Sequence, residues 1–353
     1  MCSKKHIIVL KSKIYHKIKN ICHEICHVES QITYYYVKGE KTVTKENKNF
    51  TVRLFVCLIL VAVMVGTSEL TGEREVIFPE IAALSIGAVA APKQCWITDR
   101  FRMVFLIFIC SVIGILIVRS SPFAKPINII AAFLICQMLY LCSGTSFAPM
   151  ISAAVLPVLM NTSSIIYPIS AVTMTLLTVL AQYLLEHVGI YKREKFVTKP
   201  KPAVYDWLCL SVRTAVAALI VFPSTRFGLN FCVAPPLLVA FTEFSNPESK
   251  ARKNPIKTVL IIVCCAFVGA MLRYLLCALA GFPLISAAVL STAFSIIVMH
   301  LAGQYIPPAG ALGILPMIIP SESLLIYPAE IAAGATAFML ASVCFRKKDN
   351  ENA

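Results

Sequence analysis

Charge is what this sequence has least of. Among 353 residues, 18 are Asp or Glu and 32 are Lys or Arg, so only 14% are charged. A soluble chain of this length needs far more polar surface, because much of even a large domain faces water. The sequence also has no P-loop, no G-x-S-x-G elbow, no Rossmann glycine fingerprint and no Cys-x-x-Cys pair. The usual signs of nucleotide hydrolysis, acyl transfer, dinucleotide binding and dithiol chemistry are therefore missing. The expectation is a protein that is not an enzyme and needs no cofactor.

What the chain does have is apolar length. Hydrophobic residues make up 58% of it, the mean hydropathy is +0.79, and apolar runs recur from about residue 53 to residue 345. This predicts an all-α, polytopic transmembrane helical bundle. The net charge of +14 comes from Lys and Arg gathered at the N-terminus and in a few loops, not from an aromatic-studded face. That is a positive-inside bias rather than a nucleic-acid surface. The partners expected are thus the lipid bilayer and a small-molecule or ionic solute, and no nucleic acid. Of the 14 cysteines, Cys57, Cys110, Cys136, Cys264, Cys265 and Cys277 fall inside apolar segments and read as small packing residues.

Residues 1–50 stand apart, with no Ala, no Pro and no Asp. Ile7, Leu10, Ile14, Ile18, Ile21, Ile25 and Val28 recur at three- and four-residue steps among Lys4, Lys11, Lys13, Lys17 and Lys19. The pattern predicts a basic amphipathic helix on the anionic inner leaflet, and "IIVL" is too short an apolar run for a signal peptide. A start near the first membrane segment, with this stretch untranslated, is the other expectation. Within it, His23 to His27 read H-E-x-x-H, which puts His23 and His27 on one helical face as zinc ligands with Glu24 as general base. A zinc hydrolase also needs a third ligand and a cleft, and a short surface helix offers neither.

Twelve apolar elements can be drawn: 51–68, 77–92, 101–119, 126–142, 147–160 and 163–186, then 204–222, 231–244, 256–280, 283–302, 306–320 and 323–345. "SFAPMISAAVLPVLMNTSSIIYP" can be laid on "YIPPAGALGILPMIIPSESLLIYP", matching Pro149 with Pro308, Leu156-Pro157 with Leu315-Pro316, and Tyr167-Pro168 with Tyr327-Pro328. An internal repeat follows, with an extension at 1–50, repeats at 51–186 and 204–345, a basic linker at 187–203 and a tail at 346–353. The extension, the linker (Lys192, Arg193, Lys195, Lys199, Lys201) and the tail (Arg346, Lys347, Lys348) are all basic and belong in the cytoplasm. Each half then crosses an even number of times, so the repeats are parallel and both termini are cytoplasmic. The second and fifth elements of each half are short and carry Pro79 and Pro92, Pro149 and Pro157, Pro235 and Pro236, and Pro307 and Pro308 with Gly310. They read as proline-broken elements lining a solute path.

With "IPPAGALGILP" beside "NPESKARKNPIKTVLIIVCCAFVGAMLR", the second half resembles the HPP family of integral membrane proteins over about residues 233–320. Pro307, Pro308, Ala309 and Gly310 occupy the family's His-Pro-Pro motif, and Pro255 and Gly269 resemble its earlier Pro and Gly. Ile306 stands where the family has its histidine. Plastid members are associated with nitrite transport, so the resemblance implies a transporter and suggests a small anion.

Ionisable residues at membrane depth complete the candidates. Arg213, near the middle of the seventh segment, is a candidate anion contact or structural ion pair. Glu80 and Glu330 each precede Ile-Ala-Ala near a proline and read either as helix-start caps or as coupling-proton sites. Glu243 is expected near the cytoplasmic surface, Arg119 and Arg273 snorkel from span ends, and His300 is a titratable or packing residue two turns before Tyr305. The leading expectation is a bacterial-type inner-membrane transporter or permease for a small solute. The alternative is a non-transporting scaffold or sensor whose N-terminal helix engages lipid or a partner.

Overall fold

The computed structural model describes residues 48–192 and 196–345, and every regular element among them is helical. Seven helices are long and apolar enough to cross a membrane: α1 (Lys48–Thr71), α3 (Arg100–Ser120), α4 (Lys125–Cys142), α6 (Ile166–His187), α7 (Val204–Arg226), α10 (Pro255–Leu279) and α11 (Leu284–Leu301). Between and after them lie α2 (Glu80–Ser85, continued as a wider π turn over Ile86–Ala90), α5 (Met150–Met160), α8 (Pro235–Phe244), α12 (Pro307–Ile314) and α13 (Tyr327–Ala341). A single turn, α9 (Lys250–Lys253), links α8 to α10.

The long helices are apolar on both faces. In α1, Cys57, Leu60, Val61, Met64 and Val65 recur at helical spacing and are buried, whereas Phe55, Ile59 and Val63 on the opposite side are exposed. A helix with no polar face is at home only where its outer solvent is hydrocarbon. These are the features of a multi-pass membrane protein.

The short helices have the opposite character. Every residue of α2 and α12 is buried, as are Met150–Leu159 of α5 and all of α8 except Glu243. Eleven residues of α5 span only about 16 Å, against a hydrocarbon core of roughly 30 Å. The free N–H and C=O groups at such helix ends find no partner in lipid. Enclosure by protein supplies the partners. Helices α3 and α4 pack on α5, and α10 and α11 pack on α12. Across the halves, α2 lies against α12 and α8 against α5.

The prolines do not break these elements as expected from sequence. Pro235, Pro236, Pro307 and Pro308 fill the first two positions of α8 and α12, and Pro79 and Pro149 precede α2 and α5. At a helix start the missing N–H has no intrahelical role and the fixed φ is already helical, so proline initiates rather than interrupts. Pro157 in α5 and Pro223 in α7 sit in helix interiors, and Pro168 falls in the first turn of α6. Pro316 and Pro320 belong to the turns that end the α12 region.

Similar contacts occur before and after the central linker. Tyr167 donates to Ala153 O at 2.9 Å, and Tyr327 donates to Leu312 O at 2.7 Å. The ring of Tyr167 meets Phe78 edge-on, and that of Tyr327 meets Phe231 likewise. Ser170 in α6 donates to Val76 O, while Glu330 in α13 accepts from Phe231 N at 2.7 Å. Arg119 reaches Ser163 O, and Arg273 reaches the carbonyls of Pro316 and Ile319. Gly114 and Gly269 let backbone approach backbone: a Cβ at Gly114 would overlap Ala154 O, and one at Gly269 would overlap Gly313 O. Small residues permit this close packing, which stands in for the hydrophobic drive absent in lipid.

Replacing Gly269 by alanine should force α10 from α12 and destabilise the protein by about 1–3 kcal/mol. Thermal unfolding in detergent measures this, and an unchanged Tm for Gly269→Ala would contradict the contact.

Candidate functional site

A cavity of about 440 Å³ opens at the end of the bundle where α5 and α12 finish. That volume falls in the range of small-ligand pockets. Its lining comes from a 3-10 turn before α2 (Arg74, Glu75, Ile77), from α5 and the start of α6 (Leu156, Met160, Thr162, Tyr167), and from the segment after α12 (Ile318, Pro320, Ser321, Glu322). Residues before and after position 190 therefore share one cavity.

Local sequence explains the opening. Helix α5 stops at Asn161, whose φ of 54° is left-handed, a conformation asparagine tolerates at a helix C-terminus. Thr162 then hydrogen-bonds Glu75 at 3.3 Å, holding one wall. On the other side a 3-10 turn over Leu315–Met317 winds α12 down, and Arg273 ties the Pro316 and Ile319 carbonyls. Two cations, Arg74 and Arg273, lie within electrostatic range of one another here. Arg74 is exposed and has no ion-pair partner among the described residues. Glu75 and Glu322 oppose the two cations, so the mouth is charge-balanced and carries separate positive and negative poles.

The residues singled out from sequence scatter to several places. Pro149, Pro235, Pro236, Pro307, Pro308 and Gly310 are buried at helix starts between packed elements, not along the cavity wall. A Cβ at Gly310 would overlap Ile86 Cδ1 of α2, so this glycine serves helix packing. Glu330 caps the 3-10 turn ahead of α8 from a neighbouring helix. His300 is exposed and pairs with the Tyr305 hydroxyl at 3.0 Å. Glu243 accepts from Trp96 Nε1 at 2.9 Å, beside the loop that follows α2. His23 and His27 lie outside the described residues, and among the described residues no group of three His, Cys, Asp or Glu could hold a metal ion.

Arg213 is 8% exposed and donates to Gln137 Oε1 at 2.9 Å. The Gln137 amide in turn donates to Thr242 Oγ1 at 2.6 Å, and the guanidinium lies over the Phe345 ring at 6.0 Å. These contacts join α7, α4 and α8. Arg213 thus anchors a polar chain between helices, and its Nε remains unpartnered.

Glu80 is the most deeply buried of the acidic and basic side chains, among which Arg53 and Glu330 are buried too. It is 1% exposed, and neither carboxylate oxygen has a hydrogen-bond partner in the structure. Ile77, one turn earlier, lines the cavity, as does Tyr167, which lies in electrostatic range of Glu80. Sequence reasoning found Glu80 but missed Arg74, Thr162, Tyr167 and Ser321. Its one available signal was the "YP" match, which was used to align the halves and not to locate a cavity. No protein family, curated protein or solved structure matches the chain.

If Gln137 is the partner that makes Arg213 tolerable, Gln137→Leu should cost about 3 kcal/mol by leaving a buried charge unpaired. The double variant Gln137→Leu/Arg213→Leu should recover most of that loss. Additive losses in detergent unfolding would show that the two residues are not coupled.

Proposed function

We propose that the protein is an inner-membrane transporter or permease for a small solute, made of two parallel pseudo-repeats of six crossings each. The observation that carries this reading is the cavity at the ends of α5 and α12, walled by residues from before and after the central linker and reached by the segments that flank the buried α2, α5 and α12. Short interior helices that meet across a repeat interface are where solute paths run in duplicated transporters.

Hydrogen bonding between loops supports the twelve crossings. One set of loops is joined by Ser170 to Val76, Thr162 to Glu75, Arg119 to Ser163, and Glu69 to Leu284. The other is joined by Arg53 to Ala91, Ile97 to Ser146, Lys199 to Gly144, and Lys257 to Ala302. Successive elements run between these two sets. The second set holds Lys93, Lys199, Lys250, Lys253 and Lys257, which supports a cytoplasmic position for it. The matched tyrosine, glycine and arginine contacts of the two halves support the repeat.

The solute we propose is a small anion, with nitrite as the first to test on the strength of the HPP resemblance. Arg74 and Arg273 supply positive charge at the mouth. Ile306 is buried and offers no titratable group at the family's histidine position, so charge recognition falls to the cations at the mouth.

Purified protein in proteoliposomes should take up nitrite, and Arg74→Gln should lower uptake about tenfold, the worth of a contact of roughly 1.4 kcal/mol. Cysteines placed at Thr162 and Ser321 should react with a water-soluble methanethiosulfonate, with reaction sites resolved by mass spectrometry because native thiols are present. A cysteine at Gly310 should resist. Absence of flux for any small anion, together with inert Thr162 and Ser321 positions, would sink the proposal.

A further inference from the structure

The unpartnered carboxyl beneath the cavity is the feature that the pathway alone leaves unexplained. Glu80 opens α2, an element whose every residue is buried. Isolated charge at such a place is costly, and buried carboxylates are ordinarily paired, hydrogen-bonded or neutralised. Glu330, which is also buried, is satisfied by the Phe231 backbone N–H. Arg213 has Gln137, and Arg53 donates to Ala91 O. Glu80 has neither kind of partner among the described residues.

The groups around it are accounted for element by element. Helix α12, packed along α2, presents no titratable or charged side chain in Pro307–Ile314. Helix α5 contributes Ser152, whose neutral hydroxyl lies close enough to favour the carboxylate but falls outside hydrogen-bonding geometry. From α6 comes Tyr167, and from the start of α13 comes Tyr327, both committed to backbone carbonyls through their hydroxyls. Helix α1 contributes Cys57, bound to Ser85 O. Helix α8 contributes Glu243, a second carboxyl held by Trp96 toward the opposite end of the bundle. No cation faces Glu80 from any of these elements. The simplest species that can neutralise it is a proton delivered from the water of the cavity, which Ile77 and Tyr167 border.

We infer that Glu80 is the proton-binding site that couples solute movement to a proton gradient. The step is a protonation and its reversal. A proton from one side converts the carboxylate to the acid, the acid accompanies the solute through the change of access, and the proton leaves toward the other side. No electron moves. One proton carried with one monovalent anion makes the cycle electroneutral, which removes the cost of moving net charge against the membrane potential. Glu243, beside the far loops, offers a second acceptor in that direction. The coupling role rests on the transporter reading, whereas the proton site does not.

Full-length protein in proteoliposomes supplies the test, with protein-free vesicles subtracting passage of the neutral acid. Two assays are run on wild type, Glu80→Gln and Glu80→Asp, each variant first shown monodisperse by size-exclusion chromatography. At equal pH on both sides, nitrite exchange reports transport itself. With the outside made acidic, nitrite accumulation reports coupling. Wild type should accumulate about tenfold more under the gradient, a coupling of ordinary size. Glu80→Gln should keep exchange and lose that stimulation, and Glu80→Asp should restore it. Gradient stimulation that survives in Glu80→Gln overturns the coupling role. Separately, infrared difference spectra between acid and alkaline buffer should show a carboxylic C=O band that is absent from Glu80→Gln. No such band overturns the proton site itself, whereas a wild type without exchange overturns the transporter reading and with it the coupling.

Discussion

Backbone polar groups at membrane depth must find protein partners, and the arrangement of this bundle follows from that constraint. A long helix satisfies its own backbone across the hydrocarbon and can stand at the lipid boundary, as α1, α3, α6 and α10 do. The helices α2, α5, α8 and α12 are too short to do so across roughly 30 Å of hydrocarbon. They are therefore placed in the interior, and the side chains that hold them there are chosen for carbonyl and N–H groups near helix ends. Tyr167 and Tyr327 bind carbonyls of α5 and α12, Arg119 and Arg273 bind those that follow, and Glu330 takes an N–H ahead of α8.

The same constraint explains why glycine and proline concentrate where they do. Proline at the first turn of a buried helix starts it without adding a donor to be satisfied, as at Pro235, Pro236, Pro307 and Pro308. Glycine at Gly114 and Gly269 lets a long helix touch the backbone of a short one, so that dispersion between close surfaces replaces the hydrophobic effect that lipid removes. An element rich in both residue types is thus dense packing material. The cavity forms just beyond these elements, where turns replace helix and polar residues such as Thr162 and Ser321 reappear.

Ionisable groups divide by what meets them. Arg213 has an amide partner and an aromatic face, and its links run between α7, α4 and α8, which suits a fixed joint. Glu80 has an apolar helix on one side and tyrosines already engaged on the other. A group held by polar and aromatic neighbours resists change of state, whereas an unpaired one responds to a small mobile ion. This difference separates a strut from a candidate for coupling.

Hydropathy and periodicity made the membrane class, the helical elements and their approximate limits legible, because each long helix carries its apolar character within a continuous stretch of chain. The alternation of long and short elements was legible for the same reason. What the prolines do was not, since Pro307 and Pro308 read identically in a kinked span and at the start of an intact one, and the choice depends on where the preceding chain turns. Nor could sequence tell that Gly310 faces Ile86, that Arg213 has found Gln137 76 residues away, or that Glu80 has found nothing. By itself the sequence determined that this chain crosses a bilayer as helices, for hydrocarbon permits little else. Only the tertiary structure decided which polar groups are satisfied and where a cavity remains, because those depend on contacts between residues far apart in the chain.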